Sequence, residues 1–590
     1  MNIISENKNL KIETVELNGG YACYISGTGK LVYSVDVKDT SKYMAIENHS
    51  PYWCRPFWGD SLSELPQRVQ ALLIRDGDGY SYYLPVCDSV YKTLIRGNSR
   101  GFEFYSYSNS DTVTQCDRQL AFICLSGKDP LSLAKQAAKE VCELLGNGLK
   151  LREEKTVPEV FNYLGWCSWD SMQIRVNHEG LLEKAREFKA KGVPVRFAII
   201  DDMWADVPAL NEVPANIEFM DMVRIMHSSK LRAFAGDPKR FPRGMKAAIE
   251  DLKKEGIPTV GVWFPTTGYW SGLMPDESEA EIQKDNTVTL QNGQIIVAPE
   301  KKKAARYFDS LCSRIKEWGG DFVKIDNQGF HQRYVNVAPI GESARAIQSG
   351  IDGAADRYFD GALINCMGMP SECMYNRTST VSRCSDDFMP ESREWFAKNI
   401  LQCSFNGLLQ GQFYVNDWDM WWTDDDQAVK NSLCRAISGG PIYISDKIGR
   451  TNPEILKPLC LDDGRIIRPD ESATPTADCL MANPTKTEKI FKIRNRIGKN
   501  GICAVFNINA ENKPVSGTLA PAELGIDAGD YIYYEHFTKQ TGVLKIGESL
   551  TVSLSDNDDF RLYSFVPKTD SYTEYRGNPN LFLGSSSAAF

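Results

Sequence analysis

The chain has 590 residues, 42% of them hydrophobic, with 67 Lys and Arg against 77 Asp and Glu and a net charge of −10. That length exceeds what one hydrophobic core usually organises and predicts several domains, and the mildly acidic balance, without a basic stripe, excludes nucleic acid as a natural partner. The N-terminal stretch from Met1 to Lys11 has no apolar signal core and no run is long enough to span a bilayer, so membrane partners are not expected and the predicted location is cytoplasmic.

Residues 1 to about 128 carry short segments of alternating apolar placement, such as those beginning at Tyr21 and Tyr80, separated by Gly, Asn, Asp and Ser clusters. This pattern predicts an antiparallel β-sandwich. From Asp129 to Leu145 the apolar spacing turns helical, giving a linker helix that completes a first domain over 1–150. Between about 151 and 465, strand and helix candidates alternate in the manner of a parallel α/β architecture. Eight strands are expected, at 161–169, 195–201, 258–264, 321–326, 362–367, 379–384, 412–418 and 441–445, and eight such units favour a closed (β/α)8 TIM barrel. The connecting helix from Lys302 to Trp318 shows the type, with Ala305, Phe308, Leu311, Cys312, Ile315 and Trp318 on one stripe and Gly319 ending it. From 466 to 575 the period shortens to that of a small antiparallel β domain, and 576–590 reads as an unpacked tail.

The sixteen cysteines have no framework spacing and many sit in apolar segments, as small buried residues of a reducing compartment would. The five histidines are isolated from one another, and no Gly-rich phosphate loop is present, so neither a metal nor any other cofactor is expected.

Six carboxylates end strand candidates in the middle region: Asp170, Asp201, Asp202, Asp326, Asp387 and Asp419. A barrel places the C-terminal ends of all its strands on one rim, where these acids would converge. An acid cluster without His ligands fits either a divalent cation or a sugar, whose hydroxyls carboxylates accept and whose apolar faces aromatic rings cover. Trp166, Trp169, Trp204, Trp263, Trp270, Trp418, Trp421 and Trp422 lie at or just past strand ends, more aromatic surface than a metal site needs, and favour the sugar.

Several segments then occur in order: Leu164-Gly-Trp-Cys-Ser-Trp-Asp170, Ile199-Ile-Asp-Asp-Met-Trp204, Val262-Trp-Phe-Pro-Thr-Thr-Gly-Tyr-Trp270, Val323-Lys-Ile-Asp326, Arg383-Cys-Ser-Asp-Asp-Phe388 and Asp417-Trp-Asp-Met420. From about residue 160 to 510 the chain resembles glycoside hydrolase family 36, in the branch of raffinose synthases and seed imbibition proteins related to α-galactosidases. The resemblance is weak over the N-terminal region. It implies a retaining mechanism on a terminal α-galactoside, with Asp326 as nucleophile and Asp387 as acid/base, whose carboxyls lie about 5–5.5 Å apart in such enzymes. It further implies that Asp201 and Asp202 read the sugar's C4 and C6 hydroxyls, that Trp166 or Trp169 floors the ring with Trp204 and Trp263 nearby, that Asn365 and Arg383 contact hydroxyls, and that Asp419 lines the rim. Lys324 and Arg383 are expected to hold the Asp326 pKa down, while Asp387 keeps its proton.

Two positions depart from the family pattern. Met203 replaces a Gly and Phe264 a His, changes expected to make the rim bulkier and to leave an N-acetylgalactosaminide or a modified galactoside open as substrate. The modest length and lack of long insertions favour hydrolysis over raffinose synthase-like transglycosylation. The rival outside catalysis is a sugar-binding or sensing protein. The terminal domains could cover the barrel or build a homo-oligomer.

Overall fold

Eight short strands make the centre of the molecule: β1 (Leu164–Cys167), β2 (Phe197–Ile200), β3 (Thr259–Pro265), β4 (Phe322–Asp326), β5 (Leu363–Asn365), β6 (Val381–Arg383), β7 (Val415–Asp417) and β8 (Ile442–Ile444). The computed structural model describes residues 3–5, 7–35, 42–214 and 216–585. Successive strands pair in parallel from β1 to β7, and β8 pairs with β1, so all eight run the same way around a barrel. No ladder joins β7 to β8 among the described residues. There the chains meet through a close approach, since a Cβ on Gly440 would sit 2.0 Å from the Asn416 carbonyl oxygen, and through the Tyr443 hydroxyl, which donates to Asp417 at 2.7 Å.

Seven of the eight expected strands contain an observed one, and β3 overlaps its expected range but runs one residue further, to Pro265; the observed strands are mostly shorter. Their period-two alternation sends one set of side chains into the barrel and the other toward the helices. At the floor, Phe197 and Phe322 meet Phe161 edge to face at centroid distances between 5.5 and 6.1 Å. Each buried ring contributes about 1.5–3 kcal/mol. Neighbouring strands make room with glycine: a Cβ on Gly165 would lie 2.1 Å from the Phe197 ring, and one on Gly261 2.3 Å from Phe322. The apolar plug closes one end and leaves the other for polar groups.

Helices His178–Lys191, Gly244–Lys254, Lys301–Glu317, Ile340–Phe359, Arg393–Asn406 and Ala428–Ser438 cover the outside. In the helix Lys301–Glu317, between β3 and β4, the buried stripe runs through Ala304 and Tyr307 as well as Phe308, Leu311, Cys312 and Ile315, and Gly319 follows at φ +89°. Ala305 and Trp318 are only half-buried, so the stripe is rotated slightly from the sequence expectation.

Eleven strands between Ile3 and Gly127 form one antiparallel sheet. Along the strand Gly20–Thr28, Cys23 and Ile25 join a core of their own with Tyr33, Leu72, Phe104 and Phe122, whereas Ala22 and Tyr24 belong to the core continuous with the barrel. One face is therefore the interior of this region, and the other presses on its neighbour. The helix Pro130–Leu145 follows, with Asp129 accepting from Leu131 N and Ser132 N and Gly146 closing it in the left-handed conformation.

Beyond the barrel, an antiparallel six-stranded sheet and a separate strand pair surround a further core that includes Val505, Leu519 and Phe565. The predicted unpacked tail is corrected in part: Leu581, Phe582 and Leu583 are buried, and Phe582 N donates to Pro458 O at 2.9 Å. Phe582 also meets the His536 ring at 5.1 Å. The hydrophobic triplet outweighs the polar composition around it. Residues 586–590 lie outside the described ones. All sixteen cysteines are free thiols, and all but Cys142 and Cys479 are buried. No helix among the described residues is long and apolar enough to cross a membrane.

Candidate active site

Along β4, Phe322, Lys324 and Asp326 share the inward face and climb from floor to rim. Lys324 and Asp201, both nearly inaccessible, pair at 2.8 Å, and the Cys167 thiol donates to the same Asp201 oxygen at 3.1 Å. Asp326 accepts from the Trp263 indole N–H at 3.0 Å and from Asn327 N at 2.6 Å. Asp202 accepts from the Trp270 indole at 2.8 Å and from Met203 N at 2.5 Å. Arg383 bridges Asp387 at 3.2 Å and Asp419 at 2.8 Å. Ser445 donates to Asp170 at 2.9 Å. The acids dispersed in sequence therefore converge on one end of the barrel.

All of them but Asp419 face a cavity of about 1120 Å³. Of the residues singled out from sequence, Trp169, Asp170, Asp201, Asp202, Trp263, Trp270, Lys324, Asp326, Asp387 and Trp422 line it. Trp166, Trp204, Asn365, Arg383, Trp418, Asp419 and Trp421 do not. Trp166 has the opposite parity to Gly165 and Cys167, so its ring lies outside the strands against Phe188 at 6.2 Å. The Trp204 indole donates to the Trp263 carbonyl at 2.7 Å and packs edge on against Phe234 and Trp318. Asn365 is occupied by Gln328, Ser379 and the Val381 carbonyl. Arg383 stands behind the acids it orients, and Asp419 also holds Phe388 N at 2.8 Å, which fixes the loop that carries Asp387.

Neither departure from the family pattern reaches the cavity. Met203 is fully buried, at φ +74°, a left-handed conformation in which a Gly would be unstrained. Phe264, on the outward parity of β3, packs against Phe234 at 5.6 Å. The expectation of a bulkier rim is corrected accordingly. Asp386, the neighbour of Asp387, is turned toward His49 at 3.2 Å and is absent from the cavity wall.

Burial raises the Asp326 carboxyl above its ordinary value, with Lys324 and the indole and amide N–H groups pulling the other way. The expected net depression is thus not found: Lys324 is engaged by Asp201, and Arg383 by Asp387 and Asp419. Asp387 is pushed up to about 6 by desolvation against the pull of Arg383, with Asp419 and Asp326 adding to the rise. Its side chain is 57% exposed, but into the cavity, so a bound sugar would dehydrate it further. Burial also takes Asp202 to about 7 and Asp170 to about 8. Among the described residues no three His, Cys, Asp or Glu side chains are grouped as a metal ion would need.

Two parts of the wall were not anticipated, the segment Ser50–Trp53 and the helix that carries His227. The segment Ser50–Trp53, from the N-terminal sheet, closes one side, with Asn48 Nδ2 donating to Ser50 O and Trp53 O, and the Arg383 guanidinium lies 5.4 Å from the Trp53 ring centre. The Pro-Tyr-Trp run there was the available signal. Trp270 stacks obliquely on His227 at 4.6 Å, and the helix Phe219–Ser228 that carries His227 lies in the connection between β2 and β3. Nothing in the sequence said that this helix would border a cavity.

The fold is that of solved α-galactosidases. The enzyme from Lactobacillus brevis superposes with a TM-score of 0.58 at 11% identity, covering 96% of this chain and 81% of that one. A family 36 α-galactosidase from Geobacillus stearothermophilus, solved with 1-deoxygalactonojirimycin, gives 0.57 at 10% identity, covering 96% and 87%. Among curated relatives, probable galactinol–sucrose galactosyltransferase 6 of Arabidopsis thaliana is 28% identical over 81% of this chain and 69% of its own. The stachyose synthase of Pisum sativum is 24% identical over 92% and 80%. The family model for raffinose synthase or seed imbibition protein Sip1 matches residues 7–513, reaching across the N-terminal sheet where the motifs are faint. With the barrel, the order of its rim segments and this match in agreement, the chain belongs to the raffinose synthase or seed imbibition protein Sip1 family.

Proposed function

We propose that the protein is a retaining enzyme that moves an α-galactosyl unit from a donor to an acceptor hydroxyl through a covalent intermediate. Ionised Asp326 attacks the anomeric carbon as the bond to the departing oxygen breaks, and Asp387 gives its proton to that oxygen. In the second half Asp387 takes the proton of an incoming hydroxyl, whose oxygen displaces the Asp326 carboxylate and regenerates it. Asp201, fixed by Lys324, and Asp202, fixed by Trp270, accept sugar hydroxyls. An epimer that left such buried acceptors unpaired would lose about 1–3 kcal/mol for each. The observation that carries the reading is the pairing of roles on one cavity: Asp326 receives two N–H donors that favour its anion, and Asp387 is pushed toward retaining a proton.

Transfer is preferred here to the hydrolysis that chain length suggested, because of the relatives just described one is named as a probable galactosyltransferase and the other as a synthase of stachyose, and neither as a hydrolase. The two differ only in whether water or another hydroxyl resolves the intermediate. The test is to incubate p-nitrophenyl α-galactoside with sucrose or an alkyl glucoside and to compare nitrophenol release with free galactose. Transfer predicts nitrophenol in excess of galactose, increasingly so with acceptor concentration. Equal amounts at every acceptor concentration would establish hydrolysis.

A further inference from the structure

We propose that the outer part of the cavity is a subsite for a hydrocarbon body, so that the alcohol leaving from or accepting the galactosyl unit is an alkyl- or aryl-bearing one instead of a bare sugar. This rests on the retaining galactosyl reading above and specifies its second substrate. The helix Phe219–Ser228 places Phe219, Met222, Val223 and Met226 at helical intervals on one face, and all four line the cavity. Asp221 and Arg224, paired at 2.8 Å, occupy the exposed side. In a surface helix such an apolar face is normally covered by core. Here only Met222 and Met226 are buried, Phe219 and Val223 are half-exposed, and Met220 on the cavity rim is 67% exposed.

The same chemistry continues around the wall. Met172, Met367, Met389 and Met420 line the cavity with the three methionines of the helix, so that seven of the chain's 15 methionines meet there. Flexible thioether side chains adapt to irregular apolar shapes but supply only weak acceptors for hydroxyls. Ile174, Ile217 and Ile448 extend the surface. Of the polar groups nearby, Asn177 is engaged in capping the helix His178–Lys191. Gln173, Arg175 and Lys447 also line the cavity, but along the methionine and isoleucine face itself a polyhydroxylated acceptor would give up hydrogen bonds to water with only weak thioether acceptors in return. The apolar wall and the catalytic acids belong to one continuous space, whose volume of about 1120 Å³ slightly exceeds the roughly 300–1,000 Å³ common for small-ligand sites. That continuity sets what the wall would cover: the part of the donor or acceptor beyond the glycosidic oxygen.

The experiment measures kcat/KM of the full-length protein for α-galactosyl fluoride and for methyl, butyl, hexyl and octyl α-galactosides, each below its micelle concentration. The fluoride has no aglycone, so it tests the galactosyl chemistry alone. The alkyl series shares nearly one leaving-group acidity and varies only in apolar surface. The proposal expects kcat/KM to rise about three- to fourfold per methylene over the first several carbons. Met220→Gln and Val223→Gln should each reduce the octyl-to-methyl ratio at least threefold, and because the ratio is internal, a reduced folded fraction cancels. Turnover of the fluoride with methyl and octyl galactosides equal within twofold, and raffinose faster than both, would overturn the proposal and leave the galactosyl reading standing. Failure to turn over the fluoride would overturn both.

Discussion

The buried pair of Lys324 and Asp201 allows a prediction in which stability and chemistry move together. Lys324→Met keeps a linear apolar stem but removes the ammonium that stands 2.8 Å from Asp201, with each side chain only 3% exposed. A buried carboxylate deprived of its counter-charge destabilises a fold by about 3–5 kcal/mol, because its desolvation is no longer offset. The double variant Lys324→Met/Asp201→Asn removes both charges and should recover most of that loss. For the lysine, burial opposes the charge but Asp201 drives its pKa well above the ordinary value. Its stabilising contribution is therefore fully present below the unfolded value of about 10.4 and fades only as pH rises through the higher folded one. Across pH 6 to 9 the lysine's share of the difference should stay constant. The same ammonium holds Asp326 down against burial. Without it the Asp326 pKa rises, and the acid limb of kcat/KM moves to higher pH. Tryptophan-fluorescence unfolding in urea and the pH dependence of kcat/KM are the assays. A single variant within 1 kcal/mol of wild type, or a double variant less stable than the single, would refute the reasoning.

Two further outcomes follow from the acids. In the wild type, kcat/KM for a poor leaving group should be bell-shaped, rising as Asp326 ionises and falling as pH passes through about 6, where Asp387 loses its proton. These values belong to the interacting pair, and the basic limb of kcat should lie above that of kcat/KM because bound sugar dehydrates Asp387; the opposite order would contradict the assignment. Asp387→Ala should reduce kcat/KM for raffinose by about 10²- to 10⁴-fold, yet for p-nitrophenyl α-galactoside by under about tenfold, since nitrophenolate departs without a proton. Asp386→Ala, which removes the contact with His49, should change both by less than tenfold, and a reversed pattern would exchange the roles of the two residues.

Much of the barrel was readable because its alternation is strong. Phe322, Lys324 and Asp326 recur at every second position, so the strand's inner face, its floor and its rim could all be located from five residues. The same rule places Trp166 and Phe264 on the outward parity, and applied strictly it would have kept both out of the site. Proximity in sequence to a motif outweighed parity in that reading. Arg383 and Asp419 illustrate a different limit. Their residue types suit a sugar, but the chain pairs them with each other and with the backbone of Phe388, a tertiary choice with no local sequence sign. The contribution of Ser50–Trp53 depends on how the N-terminal sheet docks. That docking is fixed by contacts such as the approach of Pro51 O to Gly329, across nearly 280 residues of chain, where a Cβ would sit 2.3 Å from the oxygen. The packed triplet Leu581–Leu583 was overlooked because the Gly and Ser beside it suggested disorder.

The most direct test of the account is to trap the intermediate. The full-length protein treated with a 5-fluoro α-galactosyl fluoride should gain one fluorogalactosyl mass, proteolysis should place the adduct on Asp326, and an α-galactoside product should form when the acceptor is added. An adduct on another carboxylate, or a first-formed product of inverted configuration, would contradict the central claim.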